Sequence, residues 1–247
     1  MKSILFSFGP FHLYSYGLLI AFGVFLSLKL MERELQRDPI GSKTLVQDLV
    51  LVTVVAGFLG ARLYYVFENF SWYLENPIKI FAVWEGGLIF YGGVAGSLLG
   101  VFLFSKWKKN SLLHSLDFLI PYVALTQAFG RIGCFMNGCC LGGYCPYPWA
   151  VTFPDGPEHV HPVQLYEAFY LLVIFFSLSW FRQKKTAHGQ VFSVYLISYG
   201  IGRFFIEFFR IGNPSWLFLT HNQWISLTLM SLGTVSFFIL QRKKSKH

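Results

Sequence analysis

Residues 112–130, LLHSLDFLIPYVALTQAFG, are mostly apolar, with a single carboxylate at Asp117, and they lead directly into Arg131. A helix crossing a hydrocarbon layer needs about 20 mostly apolar residues. This stretch therefore reads as a membrane span, and it decides the fold class. Six further stretches read the same way, near 12–30, 47–67, 86–105, 164–181, 189–209 and 223–240. Strands of a β-barrel would be shorter and would alternate apolar with polar residues. Composition agrees: 54% of the chain is hydrophobic and 19% aromatic, and only 13% is charged. A soluble protein carries roughly 25% charged residues. Mean hydropathy is +0.50. A soluble domain, a disordered chain, collagen and a disulfide-dense secreted module are all excluded. The expected architecture is an all-α integral membrane protein of seven transmembrane helices, one domain over residues 1–247. No internal repeat is visible, and an odd span count disfavours a duplicated transporter.

The net charge of +8 is a topology signal rather than a nucleic-acid one, so no nucleic-acid partner is expected. Lys29, Arg33, Arg37 and Lys43 follow the first span. Lys106, Lys108 and Lys109 join the third to the fourth, and Arg182, Lys184 and Lys185 the fifth to the sixth. Arg242, Lys243, Lys244 and Lys246 close the chain. All fall on one side of a seven-span arrangement, whose other side holds only Lys2 and Lys79. The positive-inside rule then places the N-terminus outside and the C-terminus in the cytoplasm. The first apolar run is too long for a cleaved signal peptide, and no small-residue cleavage site follows it. One long connection remains, about 131–163, on the exterior side. It carries Asp155 and Glu158, and its Gly, Pro and aromatic content predicts an ordered loop.

Arg62, Arg131, Arg203 and Arg210 lie in or beside the apolar stretches. Each costs at least about 2.5 kcal/mol at the bilayer centre, so each needs a partner or a cavity. Arg203, Glu207 and Arg210 are spaced i, i+4, i+7 and are expected to share one helix face. One carboxylate cannot neutralise two guanidiniums, and a surplus positive charge invites an anion. Phosphate matches guanidinium bidentately. Spans two, four and six all end on the exterior side, so the four arginines are expected to converge there, with Glu68, Glu167 and Glu207 as structural counter-ions.

Gly92, Gly96 and Gly100 repeat every four residues, a small-residue stripe for helix packing. The pairs Gly86-Gly87 and Gly92-Gly93 bracket Tyr91 and are expected to break the helix, offering backbone donors to a ligand. The cysteines, Cys134, Cys139, Cys140 and Cys145, lie within twelve residues. One or two disulfides, a reactive thiol activated by His161 or Tyr91, and a metal are all open readings. The oxidising exterior favours at least one disulfide. The adjacent Cys139 and Cys140 are poor partners for each other. The C-x4-CC-x4-C spacing matches no common zinc pattern and holds no His, so no metal and no cofactor are expected.

Several motifs, in order, resemble the bacterial prolipoprotein diacylglyceryl transferases. They are YSYGLLIAFG at 14–23, GARLYYVF at 60–67, WEGGLIFYGGVAG at 84–96 and LDFLIPYVALTQAFGRIGCFMNG at 116–138. PYPWAVTFP at 146–154, HPVQLYEAFY at 161–170 and SYGIGRFFIEFFR at 198–210 follow. The resemblance implies a seven-span enzyme of the bacterial inner membrane. Such an enzyme moves a diacylglyceryl group from phosphatidylglycerol to the lipobox cysteine carried by the signal peptide of a secreted prolipoprotein. It works within the lipid bilayer, and glycerol phosphate leaves on the exterior side. It implies Arg131 and Arg203 as the phosphate-side arginines, Arg210 and Glu207 as a neighbouring polar pair, and further positions at Tyr16, Asn137, Gly142, His161 and Tyr199. Asp117 matches too and is expected to be structural. The candidate catalytic set is Arg131, Arg203, Tyr91 and His161. Arg62, Arg210, Glu207, Tyr16, Asn137, Tyr199 and Gly142 are expected to bind substrate.

The chain departs from the family pattern at three places. Cys134 stands where the family usually has Asn, Cys139 where it has Glu, and Tyr91 where it has His. The Glu and His are acid/base candidates, and unperturbed Cys and Tyr titrate near 8.5 and 10. Two alternatives follow: a paralogous phospholipid-dependent transferase with another acceptor, and a non-catalytic protein that binds anionic lipid.

Overall fold

A computed structural model describes residues 4–8, 11–35, 41–154, 156, 158–211 and 215–244. Lys2, Arg37, Lys246 and Asp155, used above in the charge reading, lie outside them. The chain opens with a hairpin of β1 (Ile4–Phe8) and β2 (Phe11–Tyr14), paired antiparallel. The helices are α1 (Ser15–Glu34), α2 (Lys43–Glu68), α3 (Phe70–Glu75), α4 (Phe90–Trp107), α5 (Leu112–Met136), α6 (Val163–Arg182), α7 (Gln190–Ile206) and α8 (His221–Lys244). A two-stranded turn, β3 (Ser215–Trp216) with β4 (Leu219–Thr220), precedes α8.

Each of the seven apolar stretches is thus a helix. Among the described residues, six are long and apolar enough to cross a membrane: α1, α2, α5, α6, α8, and α7 with its 3-10 extension to Phe209. The protein is a multi-pass membrane protein. The seventh stretch is α4, 18 residues long, where four glycines and Lys106 dilute the apolar character. Large apolar side chains face outward along these helices. Phe67, Phe169 and Phe176 are each about two-thirds exposed or more, as a lipid-solvated surface requires.

The chain divides into two compact units, Met31–Leu116 and the combination of Met1–Leu30 with Asp117–His247. In the first, α2 packs on α4, and the glycine stripe is the reason. A Cβ on Gly96 would run into the Ala56 carbonyl and stand 2.9 Å from the Gly60 Cα. One on Gly60 would sit 2.8 Å from the Gly96 Cα. Backbone meets backbone here, the packing role expected of small residues. Gly86 and Gly87 take left-handed φ values of 89° and 78° and end the preceding turn. They present carbonyls to Arg62 rather than donors to a ligand, whereas Gly92 and Gly93 lie inside α4. That corrects the helix-break reading around Tyr91 in half.

In the second unit α5 is the most enclosed helix, with 56% of its apolar window buried. It runs past Arg131 to Met136, so the long connection is 137–162 rather than 131–163. Gly130 and Gly133 would weaken an isolated helix. Here Gly133 is needed for contact: a Cβ on it would stand 3.1 Å from the Tyr16 Cα on α1. Ser27 of α1 also donates to the Tyr122 carbonyl of α5 at 3.1 Å.

Asp117 is fully buried. Its two oxygens accept the Gly189 and Phe192 N–H groups at 2.8 and 2.9 Å, and Lys185 approaches to 3.7 Å. A carboxylate on α5 thus caps the N-terminus of α7, the structural role expected for it. We expect Asp117→Ala to lower stability by about 1–2 kcal/mol, the loss of a cap. A drop in detergent-solubilised melting temperature, with phosphatidylglycerol binding retained at low temperature, checks this.

Candidate active site

Three helices bring the charged side chains of the second unit together. Arg131 comes from the last turns of α5, Glu167 from the second turn of α6, and Arg203 from the end of α7. Glu167 is 3% exposed and is the hub. Its Oε2 forms an ion pair with Arg131 Nε at 2.9 Å and accepts from Arg210 Nη2 at 3.1 Å, and its Oε1 accepts from Arg203 Nη1 at 2.7 Å. Arg203 Nη2 also meets Glu207 Oε2 at 3.0 Å, the expected i, i+4 pair. Glu207 Oε1 accepts further bonds from Thr220 and Asn222 at 3.0 and 2.8 Å.

Arg210 corrects the expected single helix face. The α-helix stops at Ile206, a 3-10 turn follows, and Arg210 is extended at φ −99° and ψ 153°. Its side chain therefore turns to Glu167. Gly142 and Gly143 fix that backbone: Gly142 bridges to Arg210, and the Gly143 N–H donates to the Phe209 carbonyl at 2.7 Å. On its other side Gly143 accepts the His161 N–H at 2.8 Å. Gly142 has no room for a side chain, since a Cβ would press on the His161 carbonyl and stand 2.9 Å from its Cβ. Gly142 acts through close backbone approach.

Three guanidiniums face two carboxylates in this cluster, so arginine exceeds carboxylate by one. The buried Nε–H of Arg210 has no acceptor among the described residues. Arg131 engages Glu167 through Nε, which leaves its terminal amino groups for another acceptor. Tyr199 of α7 lies within electrostatic range of Arg131, Glu167, Arg203 and Arg210, and stacks on Tyr195 with centroids 5.6 Å apart. Tyr195 in turn donates to Gln127 at 2.9 Å. Tyr170 lies over Gly202 and donates to the Ser198 carbonyl at 2.7 Å, which locks α6 to α7 one residue before Arg203.

His161 sits beside Phe209, ring centroids 5.0 Å apart, and its Nδ1 is 3.2 Å from the Tyr166 hydroxyl. Only Nε2 remains for other chemistry. Within the described part of the loop, Val151 and Tyr144 both bridge to Val160, and Phe153 packs edge-on against Phe135 at 5.6 Å.

All four cysteines are free, where at least one disulfide was expected. Cys145 is buried under the loop, its N–H donating to the His159 carbonyl at 2.6 Å. The sulfurs of Cys134, Cys139 and Cys140 instead gather within 4.8 Å of one another. Their contacts are hydrogen bonds, among them Cys139 Sγ to the Cys134 carbonyl at 3.6 Å. Hydrogen bonds from the Cys134 and Cys139 thiols, aided by the charges of Arg131 and Arg210, hold the Cys140 thiol well below the usual thiol range despite partial burial. Tyr16 on α1 is within electrostatic range of the same thiols and of Arg131, and the Asn137 side chain bonds the Cys139 sulfur.

Two expected site residues belong to the other unit. Arg62 is not an anion ligand. A guanidinium has five N–H donors, and all five are spent on backbone carbonyls. Nε donates to Ile80 at 2.9 Å, Nη1 to Gly86 and Gly87 at 2.7 and 3.1 Å, and Nη2 to Lys79 and Ala82 at 2.6 and 3.3 Å. Its surplus charge is balanced by carbonyl dipoles and by the rings of Tyr65 and Tyr73. Arg62 builds the turn before α4. Tyr91, in the first turn of α4, is 56% exposed and lies edge-on to Phe90.

Glu167, expected as one of three structural counter-ions, is the hub, while Gln164 was not expected in the site. Gln164 is fully buried and donates to the Cys139 carbonyl at 2.6 Å. The spacing of the two within HPVQLYE, one helical turn, was the available signal. It puts the thiol-bearing loop and the arginine hub on one face of α6.

The sequence profile described as prolipoprotein diacylglyceryl transferase matches residues 3–239. A relative from Clostridium tetani is 34% identical over 252 residues, spanning 99% of this chain and 100% of its own length. One from Methylococcus capsulatus is 36% identical over 93% of this chain and 91% of its own. One from Pseudoalteromonas translucida is 39% identical over 84% and 79%. All three carry the name phosphatidylglycerol–prolipoprotein diacylglyceryl transferase.

Proposed function

Since this chain belongs to the prolipoprotein diacylglyceryl transferase family, we propose that it transfers a diacylglyceryl group from phosphatidylglycerol to the cysteine thiol of a prolipoprotein. One observation carries the reading: Arg131, Arg203 and Arg210 meet on Glu167, and arginine exceeds carboxylate by one in the cluster. A phosphodiester brings one negative charge and oxygens that suit a guanidinium fork. When the acceptor sulfur attacks the glycerol carbon, an S–C bond forms and the C–O bond to phosphate breaks. Charge then grows on the departing glycerol phosphate, where the arginines stabilise it. The sulfur comes from the acceptor, so no protein nucleophile is needed. Tyr16 and Tyr199 donate hydrogen bonds from apolar walls, while Asn137 and Gly142 shape the loop around the headgroup. Glu207 holds Arg203. His161 Nε2 is the remaining proton acceptor.

The protein crosses the bacterial inner membrane seven times, α4 included, with its N-terminus outside and its C-terminus in the cytoplasm, as one domain. The exposed Trp72, Ile78, Phe81 and Trp84 between α2 and α4 suit the membrane–water interface. The acceptor enters through its signal peptide.

The test is incubation of the purified protein with phosphatidylglycerol and a lipobox peptide. We expect a diacylglyceryl mass gain on the peptide cysteine, lost when that cysteine is replaced. Bound phosphatidylglycerol without any gain would favour the non-catalytic lipid-binding reading. Turnover of the lipid with an unmodified peptide would favour a different acceptor.

A further inference from the structure

The thiol cluster is the feature that the phosphate chemistry does not use. Cys134 ends α5, the chain turns at Gly138 with φ 68°, and Cys139 and Cys140 come back over the helix end. Cys140 itself is left-handed, at φ 61°, a costly conformation for a residue with a Cβ. The cost is met where it turns the third sulfur toward the other two. Gln164 holds the loop through the Cys139 carbonyl, and Asn137 bonds the Cys139 sulfur. These are the contacts that orient metal ligands from behind.

A Zn–S bond of about 2.3 Å puts the sulfurs of a tetrahedral site about 3.8 Å apart. The three sulfurs here lie within 4.8 Å of one another, so small side-chain rotations close the site. A disulfide would use two of them and leave the third alone. Among the described residues no fourth Cys, His, Asp or Glu joins the group. Sites that keep only three protein ligands are the ones that leave a position open for a substrate. Cys140 is exposed while Cys134 is buried, so the cluster is accessible on the Cys140 side. All-thiolate sets select Zn2+ and Cu+ over harder cations.

We propose that Cys134, Cys139 and Cys140 form a three-thiolate site for a thiophilic cation such as Zn2+, whose open fourth position takes the thiol of the acceptor. The fourth-ligand role rests on the transferase reading above; the metal site itself does not. A coordinated thiol is deprotonated outright, so the acceptor proton passes to solvent when the sulfur binds. That sulfur then forms the S–C bond while the C–O bond breaks and glycerol phosphate leaves with the electron pair. The metal is neither oxidised nor reduced. Such a site supplies thiol activation in a chain that has Cys139 and Tyr91 where its family carries an acid and a histidine.

The reduced, full-length protein in detergent, stripped of metal, is titrated with Cd2+. We expect one equivalent to saturate a thiolate-to-metal charge-transfer band, with Cys145→Ser unchanged. Cys134→Ser, Cys139→Ser and Cys140→Ser should each lose about one third of the band, one thiolate in three. A lipobox peptide should then raise it by about a third, and its Cys→Ala version should not. No saturable band in the wild type, or equal losses in Cys139→Ser and Cys145→Ser, would overturn the site. So would a disulfide joining two of the three cysteines in protein purified without reductant. A normal band that the peptide leaves unchanged overturns the fourth-ligand role. Mass gain on the peptide is scored separately and decides the transferase reading.

Discussion

Glu167→Gln is expected to unfold at a much lower temperature and to lose transferase activity. The amide keeps the shape but removes the charge on which three guanidiniums converge. Glu207, paired with Arg203, would then be the one carboxylate left beside three guanidiniums in a cluster whose centre is almost closed to solvent. Removing one partner of a buried ion pair costs about 3–5 kcal/mol, because the remaining charges are left uncompensated. Thermal unfolding in a fixed detergent measures the loss. Glu68→Gln is the comparison, since Glu68, the third counter-ion expected from the sequence, ends α2 in the other unit. Equal melting temperatures for the two variants would remove Glu167 as the hub.

Arg131→Lys and Arg203→Lys form the second test. Each keeps the charge but loses the planar fork that spans two oxygens. Arg203 uses one arm on Glu167 and the other on Glu207. A lysine ammonium cannot reach both carboxylates with the same geometry, so the hub is distorted as well as the phosphate contact. Activity on phosphatidylglycerol and a lipobox peptide is expected to fall at least tenfold in each, about 1.4 kcal/mol of transition-state stabilisation. Folding should be largely retained. Near-normal turnover in both would refute the phosphate clamp.

The glycine spacing at Gly92, Gly96 and Gly100 announced a close helix contact, and α2 supplies it through Gly60 and Ala56. Asp117 was legible as structural, although the sequence does not reveal that its partner is the start of α7, 72 residues further on. Arg62 shows the opposite case. Among the four arginines it looked like the others, a guanidinium in an apolar stretch. Its five donors are claimed by carbonyls of residues 79–87, a turn whose shape depends on two left-handed glycines. The disulfide expectation failed for a related reason. Closeness in sequence put all four cysteines in one loop, but the turn at Gly138 gathers three sulfurs and leaves Cys145 paired with the opposite strand of the loop.

The chain by itself therefore determined the membrane class, the positions of the apolar helices and the surplus of arginine over carboxylate, because hydropathy and charge add up residue by residue. Only the tertiary structure decided which arginines are spent and which remain. It selected Glu167 as the common counter-ion, turned Arg210 toward it and joined three cysteines into one cluster. A guanidinium or a thiol takes its role from the atoms that come within about 3–4 Å of it. For Arg62 in its turn and for the arginines on Glu167 those atoms are 17 to 43 residues away along the chain, whereas the three clustered thiols are at most six residues apart.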